Sequence, residues 1–404
     1  MTRAIALIDG EHHPAAVRDA LDSLDPVAVV FLGGEEKVRA GVLEDPVPHY
    51  GRPLAVGDPW ELLPGLAADA DAVVDLADEP LHPAAAKLRI ASLALHLGLA
   101  YEAPGMRLEP PRYAPLDTTA RKLAVIATGK RTGKTAVAGH WAALLRERGA
   151  RPVIVSMGRG GPAEPVLAGP ETALSDLLAI ADDGRHAASD YLEDAALAGV
   201  PAVGCRRVGG GLAGEPRESN VVEGARLAAG LDTGAIILEG SGGCIPPVEA
   251  DRTVCIAGDP EAALGALGPY RLLRADLVLA RDEIPGLAEA AKGEVARFTL
   301  RPEPAETVPA DARVALFTTG APACEGADPV VASSALARRA ELAGDIDRAV
   351  TERCDVWLTE IKAAGIDTVA ARARREGARV VFVRNRPVGV GCDLDAMLVK
   401  LYEA

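Results

Sequence analysis

The stretch from Arg121 to Thr135 reads Arg-Lys-Leu-Ala-Val-Ile-Ala-Thr-Gly-Lys-Arg-Thr-Gly-Lys-Thr. Leu123 to Ala127 is a short apolar run of the kind that fills a buried strand, a glycine-containing turn follows, and Ala136 to Arg148 has the pattern of a helix. Strand, turn and helix in that order are what a phosphate-cradling loop needs. Gly129 and Gly133 let the backbone approach an anion closely, so N–H groups between Thr128 and Ala136, through Lys130, Arg131 and Thr132, can point at phosphate oxygens at a helix N-terminus. Lys134 is then placed along the β- and γ-phosphates, and Thr135 offers its hydroxyl to a magnesium ion. The stretch departs from G-x-x-x-x-G-K-[ST] in one place, since Thr128 holds the first glycine position. A turn that merely capped a helix would not need the buried strand in front of it.

Working outward, 404 residues are too many for one ordinary core and predict two or three domains. The expected division is an N-terminal α/β domain with a proline-rich linker over 1–118, a nucleotide-binding core over 119–300 and a C-terminal α/β segment over 301–404. Aromatics are only 3% of a chain that is 49% apolar, so the cores must be packed with Ala, Val, Leu and Ile. A net charge of −15 argues against nucleic acid and against an acidic membrane surface as partners. Cations for a polyphosphate must therefore be gathered locally, and Lys130, Arg131, Lys134, Arg159, Arg206 and Arg207 all fall beside expected strand ends or Gly-rich turns. The six cysteines show no C-x-x-C spacing, which suits reduced thiols rather than a zinc site. With no signal-peptide pattern and no apolar run of spanning length, a soluble cytoplasmic protein is expected.

Strand, polar turn and helix recur from the start of the chain, at Arg3 to Ile8, Val27 to Leu32 and Ala72 to Leu76, which is the signature of a parallel sheet covered by helices. In such sheets ligands lie beyond the carboxyl ends of the strands. His12 and His13, directly after the first strand, either cap the next helix or face a ligand. Residues 102–118 read as a linker. After the phosphate loop, Pro152 to Ser156 leads into Gly158-Arg159-Gly160, with Arg159 aimed at the γ-phosphate or substrate. Pro201 to Gly204 leads to Arg206 and Arg207, an adjacent pair that could clamp a second anion bidentately. Ala235 to Leu238 ends in Glu239-Gly-Ser-Gly-Gly, where Glu239 can hold magnesium opposite Thr135. The Asn-Lys-x-Asp guanine reader is missing, which favours ATP. Further on, expected strands at Val314 to Thr318, Asp355 to Leu358 and Val380 to Val383 put Lys362 and Arg384 at strand ends.

Three stretches together resemble the cyclic 2,3-diphosphoglycerate synthetase family: Ala127 to Thr135, Glu239-Gly-Ser-Gly-Gly-Cys-Ile-Pro-Pro247, and the opening Ala6-Leu-Ile-Asp-Gly-Glu-His-His13, with Thr359-Glu-Ile-Lys-Ala-Ala364 in support. The first two are also similar to the ATP and magnesium motifs of dethiobiotin synthetase, although no aspartate after the second strand matches a third magnesium ligand of those relatives. The resemblance implies a P-loop core joined to an N-terminal domain, a homodimer, and ATP-dependent closure of 2,3-diphosphoglycerate, a small phosphorylated acid, into an intramolecular phosphoanhydride with release of ADP and phosphate; the alternatives are an ATP-dependent ligase of the dethiobiotin synthetase type acting on another carboxylate or carbamate, or a switch NTPase. It implies magnesium and potassium as cofactors. On this reading Lys130, Lys134 and Arg159 serve catalysis, Thr135 and Glu239 the metal, and His12, His13, Arg159, Arg206, Arg207, Glu360 and Lys362 the substrate.

Overall fold

Unbroken apolar runs fill the middle of two separate parallel sheets, because a strand covered by helices on both faces has no solvent side on which to place polar residues. The computed structural model describes residues 2–404. One unit takes in the chain up to Arg112 together with 259–275 and 284–293, two stretches that the sequence had suggested belong to the core. Its strands are β1 (Ala4–Ile8), β2 (Ala28–Phe31), β3 (Ala55–Val56), β4 (Ala72–Asp75), β5 (Ala100–Ala103) and β6 (Met106–Leu108), in the order β3-β2-β1-β4-β5-β6. All pairings are parallel except β5 with β6.

The expected linker over 102–118 is corrected by that last pair. Its first part is a hairpin turning at Pro104-Gly105, where Gly105 takes φ +77°. Glu102 and Arg107 are cross-strand partners and form an ion pair, while Tyr101 is fully buried and donates its hydroxyl to Asp75. Proline density at 110–115 hid a short strand just before it.

The other unit, residues 113–258, 276–283 and 294–404, is built on one long sheet. Its strands are β7 (Arg121–Ala127), β8 (Pro152–Gly158), β9 (Val166–Ala168), β10 (Ala202–Val208), β11 (Glu218–Ser219), β12 (Ala235–Glu239), β13 (Arg252–Ala257), β14 (Leu277–Ala280), β15 (Glu294–Pro304), β16 (Val314–Phe317), β17 (Pro329–Ser333), β18 (Val356–Thr359) and β19 (Arg379–Gly389). The order is β11-β10-β8-β12-β7-β13-β14-β15-β19-β18-β16-β17, with β9 alongside β10. The helix Lys134–Glu147 lays Val137, Trp141 and Leu145, all fully buried, against this sheet. The same apolar cluster takes in Ile361, Ile366, Leu394 and Leu398 from the C-terminal part.

One strand changes partners part-way, and that sets the geometry of the site. Residues 294–297 of β15 run parallel to β14, but 298–304 pass beyond the carboxyl edge of the core and pair antiparallel with 389–383 of β19. β19 in turn runs parallel to β18, and β18 parallel to β16. The C-terminal strands therefore run opposite to the core strands, and the carboxyl ends of β16 and β18 face those of the core. Seven paired positions of the β15–β19 ribbon lie between, roughly 23 Å of extended chain. Arg384, expected at a strand end, is corrected by this arrangement: it lies within β19, with Nε 2.7 Å from Glu303 of the opposite strand.

Candidate nucleotide and phosphate site

β7 sits between β12 and β13, so the loop after it leaves from the middle of the core's carboxyl edge. Thr128 is pinned at its start, its N–H donating to the Ile256 carbonyl at 3.1 Å and its Oγ1 accepting from the Gly258 N–H at 2.8 Å. Arg131 and Gly133 take left-handed backbone, φ +57° and +101°, which curls successive N–H groups inward ahead of the helix starting at Lys134. A left-handed arginine is the kind of local strain that surrounding structure must hold in place. A side chain at Gly133 would be strained at that φ and would crowd Leu300 of the ribbon, whose methyl stands 3.1 Å from where a Cβ would lie. Lys134 is 8% exposed and lies back across the loop, its Nζ 3.2 Å from the Gly129 carbonyl oxygen. Burial lowers its pKa, against the raising influence of the Glu239 and Asp190 charges. Thr132 Oγ1 is buried without a hydrogen-bond partner, as a hydroxyl awaiting a phosphate oxygen would be.

Glu239, the last residue of β12, joins this loop to the neighbouring strand. Thr135 Oγ1 donates to its Oε1 at 2.6 Å and Ser156 Oγ, from β8, to its Oε2 at 2.8 Å. Glu239 is 2% exposed, and burial, followed by the charge of Asp190, pushes its pKa up to about 7 against the pull of those two hydroxyls and Lys134. Hydroxyl and carboxylate oxygens gathered at a phosphate loop are the donor chemistry that magnesium takes. Among the described residues no group of three or more His, Cys, Asp or Glu side chains is placed to hold a metal by itself, so phosphate and water oxygens would have to complete the shell.

The cations separate into those the fold gathers and those it does not. A Cβ built on Gly242, at φ +62°, would lie 2.8 Å from an Arg159 guanidinium nitrogen, 3.4 Å from Lys130 Cγ and 3.7 Å from an Arg207 nitrogen. Arg207 is 9% exposed and fixed by donating to the carbonyls of Gly209 at 2.8 Å and Ser241 at 3.0 Å. The expected Arg206–Arg207 clamp is corrected: β10 extends to Val208, and strand alternation sends Arg206 to the exposed side and Arg207 inward. In the other unit, His12 Nδ1 lies 2.8 Å from the buried Asp9 carboxylate. His13 takes the capping alternative, accepting the Ala15 N–H at the helix start.

From the facing edge come Glu360 and Lys362. The Glu360 carboxylate accepts from the Thr319 N–H and hydroxyl, both at 2.7 Å, and from Asn385 at 2.9 Å, which makes it a strut between the turn after β16 and strand β19 rather than a free ligand. Lys362 Nζ reaches Glu193 Oε1 at 3.1 Å. Glu193 belongs to the helix Asp190–Ala198, whose first turn brings Asp190, Glu193 and Asp194 to one side. Burial pushes Glu193 up to about 7, with Lys362 opposing; Asp194 is driven well above the carboxylate range by burial and by Glu239. Lys362 is raised chiefly by Glu193. A cavity of about 230 Å³ beside Thr135 and Ala136 is lined by Glu193, Asp194, Arg384 and Asn385. Sequence reasoning missed Ser156, Asp190, Glu193 and Asp194; acids three and four apart on a helix with buried Leu192 and Ala195 were the available signal.

Comparison with known proteins gives the family. Models described as the N-terminal, P-loop and C-terminal domains of cyclic 2,3-diphosphoglycerate synthetase match residues 3–109, 122–293 and 310–386. A cyclic 2,3-diphosphoglycerate synthetase of Rubrobacter xylanophilus is 44% identical, with 100% of this chain and 97% of that protein covered. This chain belongs to the cyclic 2,3-diphosphoglycerate synthetase family. Members from Methanothermobacter thermautotrophicus (36% identical; 99% and 96% covered) and Thermococcus gammatolerans (39%; 96% and 94%) carry the same name. The synthetase family's P-loop model spans β7 to β14 and so takes in Lys134, Glu239 and Asp190. Its C-terminal model spans β16 to Arg386 of β19 and takes in Lys362.

Proposed function

We propose that this chain uses ATP to close 2,3-diphosphoglycerate into its cyclic intramolecular phosphoanhydride, releasing ADP and inorganic phosphate. The observation that carries the reading is the convergence of Lys130, Arg159 and Arg207 on the Gly242 turn, one strand end away from the phosphate loop. Two phosphates held on neighbouring carbons repel by about 4 kcal/mol per pair of unit charges at 4 Å, taking an effective dielectric near 20. Only a site crowded with cations can hold them while a third phosphoryl group arrives.

The loop N–H groups and Lys134 bind the β- and γ-phosphates. Thr135 and Glu239 would supply oxygens for magnesium, with the Asp190 charge felt at the same place, and the ion would neutralise charge on the phosphates. Arg159, Arg207 and Lys130 hold the diphosphate, and Lys362 meets it from the facing edge. An oxygen of one substrate phosphate attacks the γ-phosphorus and ADP leaves. An oxygen of the neighbouring phosphate then attacks the inner phosphorus of the new pyrophosphoryl group, and inorganic phosphate leaves. Both nucleophiles are already anions, so no general base is required and catalysis rests on positioning and charge neutralisation. The core is read as a dethiobiotin-synthetase-like arrangement adapted to a doubly anionic guest.

Phosphorus NMR of the protein with ATP, magnesium and 2,3-diphosphoglycerate tests this directly. Pyrophosphate-type resonances should grow in step with ADP. Consumption of ATP without them, stimulated instead by a carboxylic acid, would replace the reading with that of an ordinary carboxylate-activating ligase.

A further inference from the structure

We propose that Glu193 is a positioning residue: it fixes the Lys362 ammonium at the mouth between the two facing carboxyl edges, where that ammonium meets the substrate. The inference rests on the reading of Lys362 as a substrate contact. Lysine carries its charge on a flexible four-carbon stem and holds a defined place only when something tethers it. Here both ends of the stem are tethered. At its base, the turn after β18 is fixed by the Glu360 carboxylate bound to Thr319 and Asn385. Gly365 is pressed so close to the Glu360 carbonyl that a Cβ would come within 2.0 Å of it. At its tip, Nζ lies 3.1 Å from Glu193 Oε1.

The two partners are unequal. The Glu193 side chain is 9% exposed and its Oε2 finds no hydrogen-bond partner, while the Lys362 side chain is 33% exposed. A purely structural ion pair gains most when both charges have their remaining bonds met inside the fold. This pair instead leaves a third of the lysine side chain exposed, where an incoming anion can reach it. Glu193 also lies one turn after Asp190. One rigid helix thus places a carboxylate near Glu239 and Lys134 and, a turn later, fixes the cation of the opposite edge.

Steady-state kinetics of Glu193→Gln, Lys362→Met and the double variant test the inference, with MgADP binding and a thermal melt on each. Lys362→Met should raise the KM for 2,3-diphosphoglycerate about ten-fold or more and leave the KM for ATP within about two-fold. Glu193→Gln should do the same in the same direction, and the double variant should be no worse than Lys362→Met alone, because the glutamate acts only through the lysine. Glu193→Asp, which keeps the charge one methylene back, should recover part of the loss; it also supplies the comparison if Glu193→Gln fails to fold. If Lys362→Met raises the substrate KM and Glu193→Gln does not, the positioning role is wrong while Lys362 stands. If Lys362→Met changes nothing, the substrate role of Lys362 falls and this inference with it. Additive losses, or an equal rise in the KM for ATP, also overturn it.

Discussion

Replacing Glu239 with glutamine should abolish a proton release that accompanies magnesium–nucleotide binding. Glu239 is buried and its pKa is pushed from the ordinary 4.5 up to about 7, so in the ligand-free protein it is largely protonated below neutral pH. At about 1.36 kcal/mol per pH unit, ionising it inside the fold costs about 3 kcal/mol. The sign follows from proton counting. Between pH 4.5 and 7 the folded protein holds a proton that the unfolded chain has lost, so ligand-free stability falls as pH rises through that window. Below 4.5 the penalty is absent, and above 7 it is complete. Magnesium held by Thr135 and Glu239, as proposed, would need the carboxylate and would expel the proton. Titration calorimetry in two buffers of different ionisation enthalpy should therefore show more proton released by Glu239 at pH 6.5 than at pH 8. Glu239→Gln presents a similar shape to Thr135 and Ser156 with no proton to give, so the difference between the two proteins isolates this group from the nucleotide's own titration. Equal release from both at pH 6.5 would refute the reasoning.

Further outcomes follow from the same geometry. Lys134→Ala should reduce turnover by at least about a thousand-fold and erase the thermal stabilisation given by MgATP, while the ligand-free melting temperature stays close to the parent's, since a buried lysine with a lowered pKa contributes little to folding. Gly242→Ala forces a side chain into left-handed backbone at about 1 kcal/mol and drives a Cβ to 2.8 Å from the Arg159 guanidinium; the KM for the diphosphate should rise and that for ATP should hold. Arg207→Ala should cost about a hundred-fold in kcat/KM and Arg206→Ala less than about two-fold, a contrast that comparable losses in the two variants would remove.

The parts legible in the sequence were those governed by local pattern. Leu123 to Ala127 and Ala235 to Leu238 are unbroken apolar runs, each followed two residues on by a glycine, so β7, β12 and the loop after each could be placed. Arg206 and Arg207 defeated the reading because a strand end is set by its neighbours: pairing with β8 continues to Arg206 opposite Gly158, carrying the arginines into the ladder and onto opposite faces. β15 was not foreseen, although Ala296 to Arg301 alternates apolar and polar residues, because the prolines at 302 and 304 read as a turn. Without β15 the reversal of the C-terminal strands could not be seen, nor that Lys362 would meet Glu193, 169 positions earlier in the chain. Asp190 is a similar case: that its charge is felt at Glu239 and Lys134 depends on where the helix starting there packs, a fact of tertiary structure.

The ribbon of β15 and β19 works as a ruler. Leu300, which closes over Gly133, and Asn385, which braces the opposite turn, are fixed by the same ladder, so the height of the chamber is counted in residues. Two residues added to each strand would lift the roof by roughly 7 Å and keep every side chain on its own face. One residue added to each would turn Leu300 and its partner Pro387 outward and uncover the nucleotide loop. A ribbon paired in this way lengthens without turning its side chains over only in even steps.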